Sequence, residues 1–240
     1  MSDTLSRTFE ERLQELDAYL ELLEALERQV QEGPPKIGGS TITAQQQKLL
    51  YSSVFLQLYN LVEGTVSWCV AAVCDAASHK GRWAPGDLSV QLRREWVRAT
   101  ARTHEDMNED HRLERAVQLC EFLIHGDPVV KLSISRRGNW DEKEIQLITE
   151  RLGCTLQISP AVLSGIKRHV RDDKGALALI LDLRNRLGHG SLSFSECGGG
   201  FTISELRDLT NRTALYLREV VLAFKTYIDS YEFLLPARRP

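Results

Sequence analysis

Apolar residues recur at steps of four and three from Phe9 through Leu13, Leu16, Leu20 and Leu23 to Val30, with Glu27 interrupting once and acidic residues crowding the other faces. This spacing predicts one amphipathic helix over residues 5–31. It barely offers the three or four unbroken heptads of a coiled coil, so a helix packed on its own domain is expected. Gly33-Pro34-Pro35 and Gly38-Gly39 then mark a loop. Thr43 with Gln46 three residues on reads as a capping box, opening a helix over 44–78. Residues 87–104 and 110–125 read as helices richer in charge. Val129 to Ser135 alternates as one short strand before the turn Arg137-Gly138-Asn139.

Further along, Asp141 to Leu152 is a short helix closed by Gly153, and Ser159-Pro160 starts another. Ala176 to His189 is a helix closed by Gly190. Phe194 to Ile203, with Gly198-Gly199-Gly200 at its centre, is expected to form a small hairpin. The last helix starts near Ser204, and Leu206, Leu209, Thr213, Leu217, Val220, Phe224, Tyr227 and Tyr231 share one stripe. The pattern therefore predicts an all-α antiparallel bundle with a long N-terminal helix and one small β-hairpin. Residues 1–40 form the N-terminal amphipathic helix and its Gly/Pro loop; residues 41–240 form the helical domain.

Composition narrows the class. The 240 residues are 42% hydrophobic and 26% charged, which excludes collagen-like, disordered and disulfide-scaffold chains. A net charge of −3 means that any nucleic-acid surface must be local. Cys69, Cys74, Cys120, Cys154 and Cys197 are odd in number and lack Cys-x-x-Cys spacing, so reduced thiols, no zinc site and a cytoplasmic location are expected. The opening MSDTLSRTFEERLQEL has no apolar signal core. Gln57, Asn60, Glu63 and Asp75 interrupt the apolar run from Leu49 to Ala77, so it reads as a buried helix and no membrane partner is expected.

The chemistry concentrates in the helix from Ala176 to His189. At about 100° per residue, Ala176, Leu187, Ile180, Leu177, Leu181 and Leu183 share one sector, and Arg184 falls inside it. A guanidinium in an apolar sector demands a partner. Asn185 and His189 share a face beside Asp182. His189 lies in the last turn, where the helix favours a cation, and histidine exchanges protons near neutrality. Gly188 leaves room beside it for a substrate backbone. Two plainer readings stand alongside: His189 as a simple cap, and Arg186 with Asp182 as a surface ion pair. Gln57, Asn60, Glu63 and Ser67 form a polar stripe on the long second helix. The stripe is expected to face the motif helix, with Glu63 orienting Arg184. Lys167, Arg168, His169, Arg171 and Lys174 offer a local phosphate-tracking patch, or else a solvated helix face balanced by Asp172 and Asp173. Arg93, Arg94, Arg98 and Arg102 read as a solvated cluster.

The run Arg184-Asn185-x-x-x-His189 within ILDLRNRLGHG resembles the motif of the HEPN superfamily of helical ribonucleases. Tyr59-Asn-Leu-Val-Glu63-Gly64-Thr-Val, Gly138-Asn139-Trp140 with Arg151-Leu-Gly153, and Ser191 to Cys197 are similar to segments of bacterial HEPN-like nucleases of defence and toxin–antitoxin type. The likeness covers roughly residues 44–235. It implies a HEPN-type bundle and an RNA endonuclease without metal or other cofactor, in which two protomers join their motif helices into one composite site. Arg184, Asn185 and His189 would then be catalytic. The resemblance assigns no role to Glu63, Asp182 or Arg186, which their own placement marks as supporting residues, nor to Lys167, Arg168, Arg171 and Lys174, which their charge marks as RNA-binding candidates. An antitoxin or defence-system protein is the further partner implied. The competing expectations are a non-catalytic HEPN module that dimerises and binds RNA or protein, and a helical scaffold with no RNA affinity.

Overall fold

The computed structural model describes residues 2–78, 82–101, 107–129, 132, 134 and 138–240. In order these form α1 (Ser2–Glu32), β1 (Lys36–Ile37), β2 (Ser40–Thr41), α2 (Ala44–Ser78), α3 (Val90–Thr100), α4 (Glu109–His125), α5 (Glu142–Leu152), α6 (Pro160–Lys167), α7 (Ala176–Gly188), α8 (Phe194–Gly199) and α9 (Ile203–Asp229). Helices make up 73% of the protein, so the class is all-α. The two strands pair antiparallel in a tiny ribbon after α1, with Lys36 opposite Thr41.

α2 is the axis of the bundle, packed against α1, α7, α8 and α9. It is long and apolar enough to cross a membrane, yet Val54, Phe55, Leu58, Val62, Val66 and Val73 are spent on the common core. The capping box at its start is present: Gln46 N–H donates to Thr43 Oγ1 at 3.2 Å and Thr43 N–H to Gln46 Oε1 at 2.8 Å. α1 buries Phe9, Leu13, Leu16, Leu20 and Leu23 against α2 and α9. Val30 departs from that stripe and is exposed. Cations of α9 answer the acidic faces of α1: Arg207 donates to Asp17 at 2.7 Å and Glu24 at 2.8 Å, and Arg218 to Glu10 at 2.8 Å. In α9 the stripe from Leu206 to Tyr227 is buried, while Tyr231 lies past the helix end at φ 53° and is half-buried.

The expected hairpin over Phe194–Ile203 is instead the short helix α8 followed by the start of α9. Ser193 and Glu196 form a capping box that turns the chain helical before the glycines are reached. Those glycines serve contact rather than reversal. A Cβ on Gly198 would overlap the backbone carbonyl of Lys48, so α8 lies backbone to backbone on α2. The expected strand over Val129–Ser135 is not formed by the described residues: Val129, Leu132 and Ile134 are buried without strand pairing, and 130, 131, 133 and 135 lie outside them, as does Arg137 of the expected turn.

Of the second arginine cluster, Arg93 donates to the carbonyls of Pro85, Gly86 and Leu88. Arg98 pairs with Glu95, a carboxylate only 3% exposed that also takes two bonds from Arg151 of α5. These arginines are structural ties as much as solvated charge. Arg102 lies outside the described residues.

Candidate functional site

Arg184 sits where the helical wheel places it, but its main partner is an aromatic ring. The guanidinium lies 4.3 Å from the centroid of Tyr59 on α2, a cation–π stack that roofs a fully buried tyrosine. Glu63, one turn further along α2, brings Oε2 to 3.9 Å from Arg184 Nη2, the outer edge of an ion pair. Arg184 Nη1 donates to Asn185 Oδ1 at 2.9 Å. The arginine side chain remains 38% exposed, so the charge is held on its ring and still reaches solvent. Tyr59 is fixed in turn by its hydroxyl, which donates to the carbonyl of Gly138. Burial, then the nearby Glu63 carboxylate, raises the phenol pKa and keeps it a donor. The segments around Tyr59, Gly138 and Arg184 thus meet at one point.

The end of α7 is closed firmly. His189 is the C-cap, Gly190 takes φ +71°, Ser191 N–H donates to Arg186 O at 3.0 Å and Gly190 N–H to Leu187 O at 3.2 Å. These are the two bonds of a Schellman closure, which needs the left-handed residue that glycine supplies. The His189 side chain is exposed, and the residue's backbone N–H donates to Asn185 O at 2.9 Å. Gly188 is exposed too, and a Cβ there would meet open space, so nothing in the bundle demands a glycine at that position.

The polar stripe of α2 does not face α7 as a whole. Steps of three turn about 60° round a helix each time. Glu63 reaches Arg184, while Gln57 and Asn60 line a hollow toward α1. Ser67 is half-buried.

The basic run before α7 is not a helix face either. α6 ends at Lys167, and Asp172 and Asp173 take φ 50° and 55° in a tight reversal that pairs Arg171 with Lys174. Its cations lean on the chain's own acids. Arg168 lies 3.4 Å from Asp208, and Arg171 stacks 3.9 Å from the Phe201 centroid while donating to Gly200 O. Lys174 Nζ lies 2.9 Å from Asp182 Oδ2 and Arg186 Nη1 3.7 Å from the same oxygen, charge contacts without hydrogen-bond alignment. Lys167 and His169 are exposed. The structure therefore gathers Arg184, Asn185, His189 and Glu63 at one helix end, links Lys174 to that helix through Asp182, and sets Arg168 and Arg171 beside α9 and its approach. Tyr59 is the residue that the spacing did not single out. Its signal was its place one turn before Glu63.

Cys120 is exposed, and Cys69, Cys74, Cys154 and Cys197 are buried. Burial raises Cys154 to about 12 and Cys197 to about 11.

A family model described as MAE_28990-like HEPN matches residues 1–233. No curated protein and no solved structure matches the chain.

Proposed function

Because the chain belongs to the MAE_28990-like HEPN family, whose character fits a nuclease or an RNA-binding module, we propose that it is a metal-independent RNA endonuclease acting as a toxin or anti-phage effector in the cytoplasm. The observation that carries this reading is the held arginine: Arg184 stacked on Tyr59 and bonded to Asn185, at the helix end where His189 stands exposed.

RNA brings its own nucleophile, the ribose 2′-OH. The imidazole of one His189 takes that proton, the 2′-oxygen bonds to the adjacent phosphorus, and the bond from phosphorus to the 5′-oxygen breaks. The leaving oxygen takes a proton from the imidazolium of the second copy's His189. The products are a 2′,3′-cyclic phosphate and a 5′-hydroxyl. Arg184, always cationic, matches the charge that grows on the phosphoryl oxygens. Asn185 spends its carbonyl oxygen on Arg184, which leaves its NH2 group to donate to phosphate. A base and an acid of one residue type call for two protomers joined at their motif helices. Lys167 and its neighbours would track the strand, and an antitoxin or defence-system protein would restrain the site.

The test is cleavage of single-stranded RNA by wild type, His189→Ala and Arg184→Ala, with circular dichroism confirming the fold. Each substitution is expected to reduce the rate by about 10²–10⁴-fold, and EDTA is expected to leave wild type unchanged. Cleavage that survives both substitutions, or that needs magnesium, overturns the proposal. Binding of RNA without cleavage by wild type selects the non-catalytic module instead.

A further inference from the structure

We propose that the hollow between α1 and α2 is a nucleobase subsite for single-stranded RNA, with the Trp68 indole as its stacking surface. The proposal rests on the RNA reading above and extends it from where the strand is cut to how it is held.

The hollow has a volume of about 380 Å³, within the range of sites that take small planar ligands. Arg12, Leu16, Gln57, Asn60, Leu61 and Trp68 line it. Trp68 is half-buried, and its position depends on a glycine. A Cβ on Gly64 would come 3.2 Å from both Cη2 and Cζ2 of the indole, so Gly64 lets the ring lie down along the helix. A glycine inside a helix is less favourable than alanine, and here the three atoms nearest the freed space all belong to the tryptophan ring. Beside the ring stand two amides, Gln57 and Asn60, each offering donors and an acceptor, as the edge of a base requires. Arg12 is neutralised at the rim by Glu15, with both carboxylate oxygens at 2.8 Å. An apolar floor, a flat ring, two amides and a cancelled charge suit an uncharged planar ligand with a hydrogen-bonding edge, not a phosphate or a carboxylate.

Geometry joins the hollow to the site. From Gln57 through Asn60 to Glu63 the polar residues wind about 120° round α2 while climbing about 9 Å, and Glu63 faces Arg184. Trp68 is nine residues beyond Tyr59, about 180° round α2 and about 14 Å along it, so a base seated there belongs to a nucleotide several positions along a strand that wraps the helix from the one held at Arg184.

The experiment uses the His189→Ala protein, which would hold RNA uncut, titrated with short single-stranded oligonucleotides while tryptophan emission and affinity are followed. Adding Trp68→Leu is expected to remove the quenching and weaken binding about tenfold or more, as loss of a stacked base does. Trp68→Phe is expected to retain most of the affinity, which guards against a mere folding defect. Gly64→Ala, which tilts the indole, is expected to weaken binding while the fold persists. An abasic nucleotide at the seated position is expected to erase the difference in affinity between the parent and its Trp68→Leu variant. If Trp68→Leu binds and quenches as its parent does, or duplex RNA binds as well as single strands, the subsite is wrong while the nuclease reading stands. If the parent binds no RNA at all, both fall.

Discussion

At the scale of single residues, the question is what an arginine does in an apolar sector. Charge reasoning demanded a partner, a carboxylate or a phosphate. Glu63 is there at 3.9 Å, but the closer support is the face of Tyr59. Stacking satisfies a weakly hydrated guanidinium without neutralising it, which suits a group meant to meet phosphate. Glu63→Gln is accordingly expected to shift stability by less than about 0.5 kcal/mol, since the pair is more than a third exposed. Tyr59→Phe keeps the ring but orphans the Gly138 carbonyl, an expected loss of about 1 kcal/mol with RNA cleavage retained; Tyr59→Leu is expected to lose most cleavage. Urea melts and initial rates on the same samples separate the two effects. Gly188→Ala is expected to leave stability unchanged or raise it by up to about 1 kcal/mol, while cleavage falls if substrate passes over that open edge. Cys120 is expected to react fast with a chromogenic disulfide in the folded protein, and Cys69, Cys154 and Cys197 only on unfolding, because burial holds those three protonated and screened. The motif residues were legible in the chain, since Arg184, Asn185 and His189 lie within one and a half turns. Tyr59 was not, because the stack joins residues far apart in sequence.

At the scale of elements, legibility follows how local the signal is. The boxes at Thr43–Gln46, Asp141 as the cap of α5 and Gly153 at φ +75° could be read in place, because each device satisfies backbone groups a few residues away. The glycine triplet misled because its purpose is tertiary. Gly198→Ala is expected to cost about 3 kcal/mol, since the obstacle is the Lys48 backbone, whereas a Cβ on Gly199 meets only the Lys48 side chain at 3.3 Å and is expected to be tolerated. Melting temperatures of the two variants decide this. The seam between α1 and α9 carries a pH dependence. The hydrogen bond from Arg218 holds the Glu10 carboxyl below its ordinary value of 4.5. A depressed carboxylate stabilises the fold above its unfolded value, and that share is lost as pH falls through the folded one. The pair is part-exposed, so the share is small. The gap in melting temperature between wild type and Glu10→Gln is expected to be constant above about pH 5 and to close on acidification; a gap that widens in acid contradicts the assignment.

At the scale of the whole molecule, the arrangement that a net charge of −3 required is only partly delivered by one chain. Arg168, Arg171 and Lys174 each lean on an acidic side chain supplied by α9 or α7, partners that no local window could reveal. A composite site would answer by joining two sets of cations. The proposal therefore predicts that specific activity falls on dilution as pairs separate, checked by cleavage rates against sedimentation at matching concentrations. Rates that stay proportional to protein through dissociation contradict it. The bundle itself closes between distant helices, for α1 finds its cations 190 and 208 residues further along, at Arg207 and Arg218. During synthesis the leucine stripe of α1 therefore leaves the ribosome long before the helix that will cover it exists, and meanwhile only α2 can shelter it. A translation product interrupted ahead of α9 carries the whole motif on a half-clad scaffold, fit for chaperones and proteases before it is fit for RNA.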